Sequence, residues 1–467
     1  MDQFLDQVLK VVRTINKYTA DYILVILLIA VGLLFTVGTR FVQVRCFGEG
    51  MRQSLGNFSL KGGKQKSGLS SFQSLATAIA AQVGTGNIVG ACGAILIGGP
   101  GAIFWMWIIA FLGMATIYAE AVLAQKTRVV DADGTVHGGP VYYIKTAFTG
   151  RFGKFLAGFF AVSATLALGF MGMMVQSNSI GESVSNVIGI APWIIGLVVA
   201  ALAAVIFVGG VNRIAAVTEK MVPFMALFYI VACLIVIISR IQHIPETFGL
   251  IFRYAFEPEA ILGGGIGAAI SQGAKRGLFS NEAGMGSTPH AHALANVEKP
   301  HDQGVSAMIG VFIDTFIVLT LTALTVISSL YAGGGVLADG VEAGVSKTNM
   351  AQLSYGILYG ETFGGILLAV CLFFFAFSTI IGWNLFGKVN FTYLFGKKSV
   401  IVYSIISIAF VFLGACLSND LVWELTDMFN YLMVIPNAIA LVALCKMVFD
   451  ETKKAQELRA AAKKKSE

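Results

Sequence analysis

Long apolar blocks alternate with short polar segments along the chain, and the polar segments carry most of the Lys and Arg. A helix needs about 20 apolar residues to cross the hydrocarbon core of a bilayer. The blocks predict eleven crossings, near 20–42, 71–97, 100–125, 154–178, 192–210, 215–239, 260–292, 304–331, 361–387, 399–417 and 421–447. Ahead of the first, Leu5, Val8, Leu9, Val12 and Ile15 recur at helical spacing with Lys10, Arg13 and Lys17 between them. That pattern predicts an interfacial amphipathic helix over 1–18; a cleaved signal would be apolar throughout its centre. The segment 331–360, with Gly333, Gly334 and Gly335, reads as an external loop, and 450–467 as a charged cytoplasmic helix in solvent.

The basic residues test this count. With the C-terminus inside, cytoplasmic segments hold Arg40 to Lys66, Lys126 to Arg151, Arg213, Lys220, Lys299, Lys388 to Lys398 and the Lys/Arg-rich tail. The opposite side holds Lys10, Arg13, Lys17, Arg240, Arg253 and Lys347. This is the asymmetry of the positive-inside rule, and one crossing more or fewer would scramble it. The N-terminus is then outside. Composition agrees: 56% hydrophobic, 12% charged and a mean hydropathy of +0.79 leave too little charge to cover a soluble surface. The net charge of +6 is scattered through short loops, so no nucleic-acid partner is expected and membrane lipid is. Cys92, Cys233, Cys371, Cys416 and Cys445 fall in or beside apolar spans without metal-ligand spacing. His290, His292, His301 and Asp302 read as solvated loop residues rather than a metal cluster. No phosphate-binding Walker segment or catalytic Ser/His/Asp arrangement is found, which argues against ATP and against an enzyme.

Two crossings are interrupted. The second carries Gln82-Val83-Gly84-Thr85-Gly86-Asn87 at its centre. The seventh carries Gly263-Gly264-Gly265 and then Gly273 through Gly284, with Lys275, Arg276 and Glu282 among them. Backbone groups freed at that depth must be satisfied within the protein, which is tolerated where they line a polar cavity. One such glycine cluster is adequately explained by close helix packing. Two of them, five spans apart, change the balance. If the first span is an addition, 71–240 and 241–449 form inverted five-helix halves that each open with a broken helix, and 19–70 holds the extra helix and a cytoplasmic loop. Paired interruptions of this kind mark the binding site of a secondary transporter. Amides around Thr85, Gly86 and Asn87 open a half-helix whose positive end suits a carboxylate. Freed carbonyls near Ala81 and Gly84 suit a sodium ion.

The segments Gly84-Thr85-Gly86-Asn87, Gly98-Gly99-Pro100-Gly101-Ala102-Ile103-Phe104-Trp105-Met106-Trp107, Gly138-Gly139-Pro140-Val141-Tyr142-Tyr143 and Lys275-Arg276-Gly277-Leu278-Phe279-Ser280-Asn281-Glu282-Ala283-Gly284 closely resemble the alanine or glycine:cation symporter family, in the family's order and across the chain. The resemblance implies an all-α polytopic membrane protein with a LeuT-like core of five plus five inverted helices and one extra N-terminal helix. It implies a multi-pass carrier of the prokaryotic cytoplasmic membrane. It also implies a small neutral amino acid as substrate, alanine or glycine first, and Na⁺ as coupling ion. A proton-coupled or broader carrier of serine or glutamine is the alternative, and an ion channel the rival from another class.

Carried over by position, the resemblance places Thr85, Gly86, Asn87, Gln176, Phe279 and Trp383 at the substrate, and Ala81, Gly84, Ser378 and Thr379 at sodium. Each has a plainer reading beside it. Gln176 alone is as readily an interhelical hydrogen bond, and Trp383 a packing residue. Ser378 and Thr379 could bond carbonyls one turn back in their own helix. Lys275 and Arg276 inside a crossing are expected to pair with Glu282 as a clamp or gate, and Glu120 and Asp314 to pair with basic residues in the same way. The stretch Thr288-Pro289-His290-Ala291-His292 departs from the family in being more polar than its Ala-rich continuation.

Overall fold

The computed structural model describes residues 2–56, 68–132, 134–257, 267–338, 340 and 344–466. The calls on Gly263, Gly264 and Gly265, and on Lys61, Lys64 and Lys66, lie outside the described residues.

Apolar composition drives the architecture: eight described helices are long and apolar enough to cross a membrane. They are Gln3–Gly38, Ala102–Thr127, Gly150–Ile188, Gly210–Ser239, Pro300–Leu330, Glu361–Phe395, Lys397–Gly414 and Asn419–Ala443. Ser71–Gln82 and Gly86–Gly98 qualify together, bent by 46° at the break between them. Pro192–Phe207 is apolar but shorter. Ala268–Asn281 ends in an unwound turn, followed by the short helix Pro289–His292. Large apolar side chains such as Phe224, Leu227, Val231, Ile235 and Ile238 face outward from one helix, and Ile401, Val402 and Ile405 from another. Exposed apolar area on that scale suits lipid rather than water. The chain is a multi-pass membrane protein.

Three expectations change. The amphipathic stretch and the first crossing form one helix, because nothing between Lys17 and Val25 breaks the ladder and it merely widens over Thr19–Leu24. Asn16 ties it to Glu424, through the side chain at 2.6 Å and the backbone carbonyl at 2.8 Å. The segment read as an external loop holds the helix Asn349–Tyr359, whose Met350, Ala351 and Tyr355 pack inward. At 11 residues that helix is too short for a crossing signal. The histidines read as solvated are buried: His290, His292 and His301 are 2%, 0% and 3% exposed. The chain after the second break folds back into the protein, where Asn390 donates to His290 and Gln303 contacts His292. His301 bonds Tyr118.

Small residues set the closest approaches. Gly169 and Gly387 meet where Gly150–Ile188 crosses Glu361–Phe395, and a Cβ on Gly387 would sit 2.5 Å from Gly169 Cα. Backbone cannot yield there as a flexible side chain could. Gly387→Ala should therefore cost about 1–3 kcal/mol, the usual penalty of overpacking, and lower the thermal midpoint of the detergent-purified protein. An unchanged midpoint would contradict this contact.

Candidate functional site

The first broken crossing begins at a capping box: Ser70 accepts from the Gln73 amide while Gln73 accepts from the Ser70 amide. The helix ends at Gln82, and Val83 leaves helical geometry with φ −77° and ψ 87°. Two of the freed amides are taken up by side chains. Gly84 N–H donates to Asn87 Oδ1 at 3.0 Å, and Thr85 N–H to Gln176 Oε1 at 3.2 Å. The carbonyls face Glu361–Phe395. Ser378 Oγ approaches Ala80 O at 3.1 Å and Val83 O at 3.5 Å, and Thr379 Oγ1 approaches Ala80 O at 3.1 Å and Ala81 O at 3.2 Å. Both hydroxyls also bond Phe375 O in their own helix, the plainer reading of them. Glycine is required here because a Cβ on Gly84 would overlap Thr379 Oγ1.

These atoms form an uncharged oxygen set of the kind unwound backbone offers Na⁺. Hydroxyls accept as well as donate, so Ser378 and Thr379 can turn lone pairs towards an ion. Ala81, Ser378 and Thr379 come together as expected. Ala80, Val83 and Phe375 were missed, since a backbone carbonyl leaves no mark in side-chain identity. Gly84 O instead accepts from the Asn87 amide at 3.2 Å.

On the other side of the break, Thr85 Oγ1 and Gln176 Nε2 are buried without a hydrogen-bond partner among the described residues. Buried polar atoms are nearly always paired, so an orphaned pair beside an unwound helix points to a polar ligand. Gly86 faces the second broken crossing, where a Cβ would lie 3.0 Å from Ser280 Cα and 3.1 Å from Phe279. Phe279 meets Trp383 edge-on at 5.8 Å and Trp423 at 4.8 Å. Trp423 was missed; at the start of its helix it looks like an ordinary interfacial tryptophan. Arg276 and Lys347 lie over its ring, each 4.9 Å from the centroid.

At the second break Glu282 has φ 59°, and Gly284 and Gly286 have φ 89° and 81°. The expected charge pairing is overturned. Lys275 pairs with Asp21 at 2.8 Å and Arg276 with Asp427 at 2.7 Å. Glu282 accepts from Trp383 Nε1 at 2.5 Å and from the Ser287 hydroxyl. Helix geometry is the reason: Arg276 lies about 240° round the helix from Glu282, and Lys275 about 10 Å back along it. Among the described residues, Glu120 and Asp314 also lack the basic partners expected of them. Glu120 accepts from the Gly284 and Gly286 amides at 3.2 and 3.0 Å and from Asn437 Nδ2 at 2.7 Å. Unwound backbone supplies N–H donors where a cation was expected. Asp314 accepts from Asn87 Nδ2 at 2.6 Å and from the Ser280 and Thr315 hydroxyls at 2.8 and 2.9 Å.

The Gly138-Gly139-Pro140 motif acts here too. Gly139, at φ 112°, lies against the His290 ring, and Tyr143 donates to Asn437, the residue that braces Glu120 and Gly284 O. Among the described residues one group offers three metal ligands, Cys46, Glu49 and His301, within 4.8 Å of one another. The Arg459 guanidinium contacts all three and already supplies the positive charge.

Glu120→Ala should leave the Gly284 and Gly286 amides unpaired inside the membrane. We expect a loss of about 2–4 kcal/mol, read as a lower thermal midpoint in detergent. A midpoint equal to wild type would remove Glu120 as the brace of the second break.

The sequence profile of the sodium:alanine symporter family matches residues 5–467. The sodium/alanine symporter AgcS of Methanococcus maripaludis is 40% identical over 451 residues, covering 96% of this chain and 97% of that one. The probable sodium/glutamine symporter GlnT of Bacillus subtilis is 37% identical over 458 residues, covering 97% and 91%. Among solved structures, MhsT in complex with L-phenylalanine is similar in fold, with a TM-score of 0.57 at 12% identity over 83% of this chain and 100% of that one. The fold is thus LeuT-like, and the chain belongs to the sodium:alanine symporter family, whose members are Na⁺-coupled transporters and not enzymes.

Proposed function

We propose that the chain imports a small neutral amino acid, alanine or glycine first, together with Na⁺ by alternating access across a prokaryotic cytoplasmic membrane. The observation that carries the reading is the first break, where Ala80, Ala81 and Val83 turn their carbonyls to the hydroxyls of Ser378 and Thr379. Two separate elements meet at these oxygens. An ion among them draws the broken crossing and Glu361–Phe395 together, and its loss releases them. Relatives named as sodium/alanine and sodium/glutamine symporters support a neutral amino acid; serine and glutamine are the alternatives to alanine and glycine.

On this reading the substrate carboxylate meets the Gly86 amide and takes the Thr85 amide over from Gln176 Oε1, with Gln176 Nε2 and Thr85 Oγ1 as further polar contacts. Phe279 and Trp383 close the pocket around a short side chain. Gly172 supports that size limit, since its Cβ position is taken by the Trp383 ring. Arg276 and Asp427, with Trp423 beneath, cover Phe279 from the external side. Lys275 clamps the outer half of the second broken crossing to the extra N-terminal helix through Asp21.

We read the eight long helices, the bent pair, Pro192–Phe207 and the broken Ala268–His292 stretch as eleven crossings, two inverted five-helix halves, 71–240 and 241–449, plus one. Odd parity places the N-terminus outside and the basic tail inside.

Purified protein in proteoliposomes should accumulate labelled alanine above equilibrium under an inward Na⁺ gradient, and lose that accumulation when choline replaces Na⁺ at constant pH. Accumulation that survives the replacement, or follows a proton gradient instead, would refute sodium coupling. Thr379→Ala removes one oxygen worth about 1–1.5 kcal/mol and should raise the Na⁺ for half-maximal uptake roughly tenfold. An unchanged sodium titration would take Thr379 out of the site.

A further inference from the structure

Trp383 stands one turn beyond Thr379 on the helix Glu361–Phe395, so the face that meets the first break also presents this ring. Gly382 keeps that face close, since a Cβ on it would lie 3.0 Å from the Ala81 Cβ. The ring is 1% exposed and is held at two opposite edges. Its benzo edge, Cε3 and Cζ3, fills the notch that Gly172 leaves, and Phe279 meets the ring edge-on with centroids 5.8 Å apart. At the far edge Nε1 donates to Glu282 Oε1 at 2.5 Å. The two kinds of contact do different things. Apolar packing fixes where the ring lies but leaves χ2, a broad sp³–sp² torsion, room to adjust. The N–H···O bond is directional and fixes the angle.

A second observation concerns Glu282 itself. Its φ is 59°, a left-handed value uncommon for a residue other than glycine, and glycines do serve at the neighbouring turns Gly284 and Gly286. A glutamate held in that conformation points to a use for its side chain. The backbone around it is tied down: its amide donates to Leu278 O at 2.9 Å, and its carbonyl accepts from the Met285 amide at 3.1 Å. Its second carboxylate oxygen accepts from the Ser287 hydroxyl. Glu282 is therefore a fixed acceptor on the second broken crossing, and the indole it holds belongs to the helix that carries Ser378 and Thr379.

We propose that Glu282 is a positioning residue for substrate size: it sets the angle of the Trp383 ring, and through the ring the length of side chain that the pocket admits. With the bond made, the ring stays against Phe279 and a side chain longer than a methyl group has no room. With the bond lost, the ring turns about χ2 and room opens. The size limit is thus enforced where the second broken crossing and Glu361–Phe395 come together. The proposal rests on the reading above, in which a small neutral amino acid is held at the breaks.

Competition binding tests it. Labelled L-alanine is bound by the full-length purified protein in Na⁺ and displaced by L-2-aminobutyrate, which is longer by one methylene. Wild type should prefer alanine by roughly tenfold or more, the usual effect of one methylene in a closed pocket. Glu282→Met keeps the side-chain volume and removes the acceptor, and the preference should fall to about threefold or less, whatever happens to alanine affinity. Glu282→Gln keeps an acceptor oxygen and should keep the wild-type preference; a fall as large as that of Glu282→Met would overturn the role of the bond. An unchanged preference in Glu282→Met would overturn the proposal, because a merely structural role weakens both ligands alike. Wild type binding both equally would also overturn it and leave the sodium-driven reading standing; wild type binding no alanine would overturn both. Should Glu282→Met fail to fold, Glu282→Asp keeps the charge and draws the acceptor back by one carbon–carbon bond. Its preference should fall in the same direction, and an unchanged value would overturn the proposal.

Discussion

Inside a membrane an unwound peptide group has no water to bond, so every N–H and carbonyl released from a helix must be met by the protein or by what the protein binds. Most of the central structure follows from that demand. At the first break it recruits Gln176, Asn87, Ser378 and Thr379, which reach it from two other helices or from one turn further on. At the second it recruits Glu120 and Asn437, and the GGP motif packs behind them. Glycines stand at these points because neighbouring groups come too close for a side chain, as at Gly84, or because the backbone turns left-handed, as at Gly284 and Gly286.

The same demand decides how charge is arranged. Carboxylates near the breaks face donors from unwound backbone and polar side chains, while Lys275 and Arg276, on intact helix, reach outward to Asp21 and Asp427 on neighbouring helices. Pairing therefore follows position along and around the helix, not nearness in sequence. The helical part of the second broken crossing, Ala268–Asn281, is held by ion pairs and the break itself by hydrogen bonds.

Much of this was legible in the sequence. Apolar block length gave the helices, and paired glycine-polar interruptions gave the two breaks, because both are written in side-chain identity. Ala81, Ser378 and Thr379 converge as the family motif implied. What stayed hidden was written elsewhere. The carbonyls of Ala80, Val83 and Phe375 act through backbone, which residue type does not record. Trp423 covers Phe279 from a position where tryptophan is commonplace. The burial of His290, His292 and His301 depends on the chain folding back after the second break, and their polarity argued for solvent. The partners of Glu120, Glu282 and Asp314 depend on which backbone groups the breaks release, a property of three-dimensional register rather than of spacing.

The central claim is that sodium and substrate occupy one structure built on the first break and so depend on each other. Alanine affinity of the detergent-purified protein, measured calorimetrically in Na⁺ and again in choline at equal ionic strength, tests it most directly. The account predicts at least roughly tenfold tighter alanine binding in Na⁺, and the same factor in sodium affinity when alanine is present. Equal alanine affinity in the two salts would contradict it.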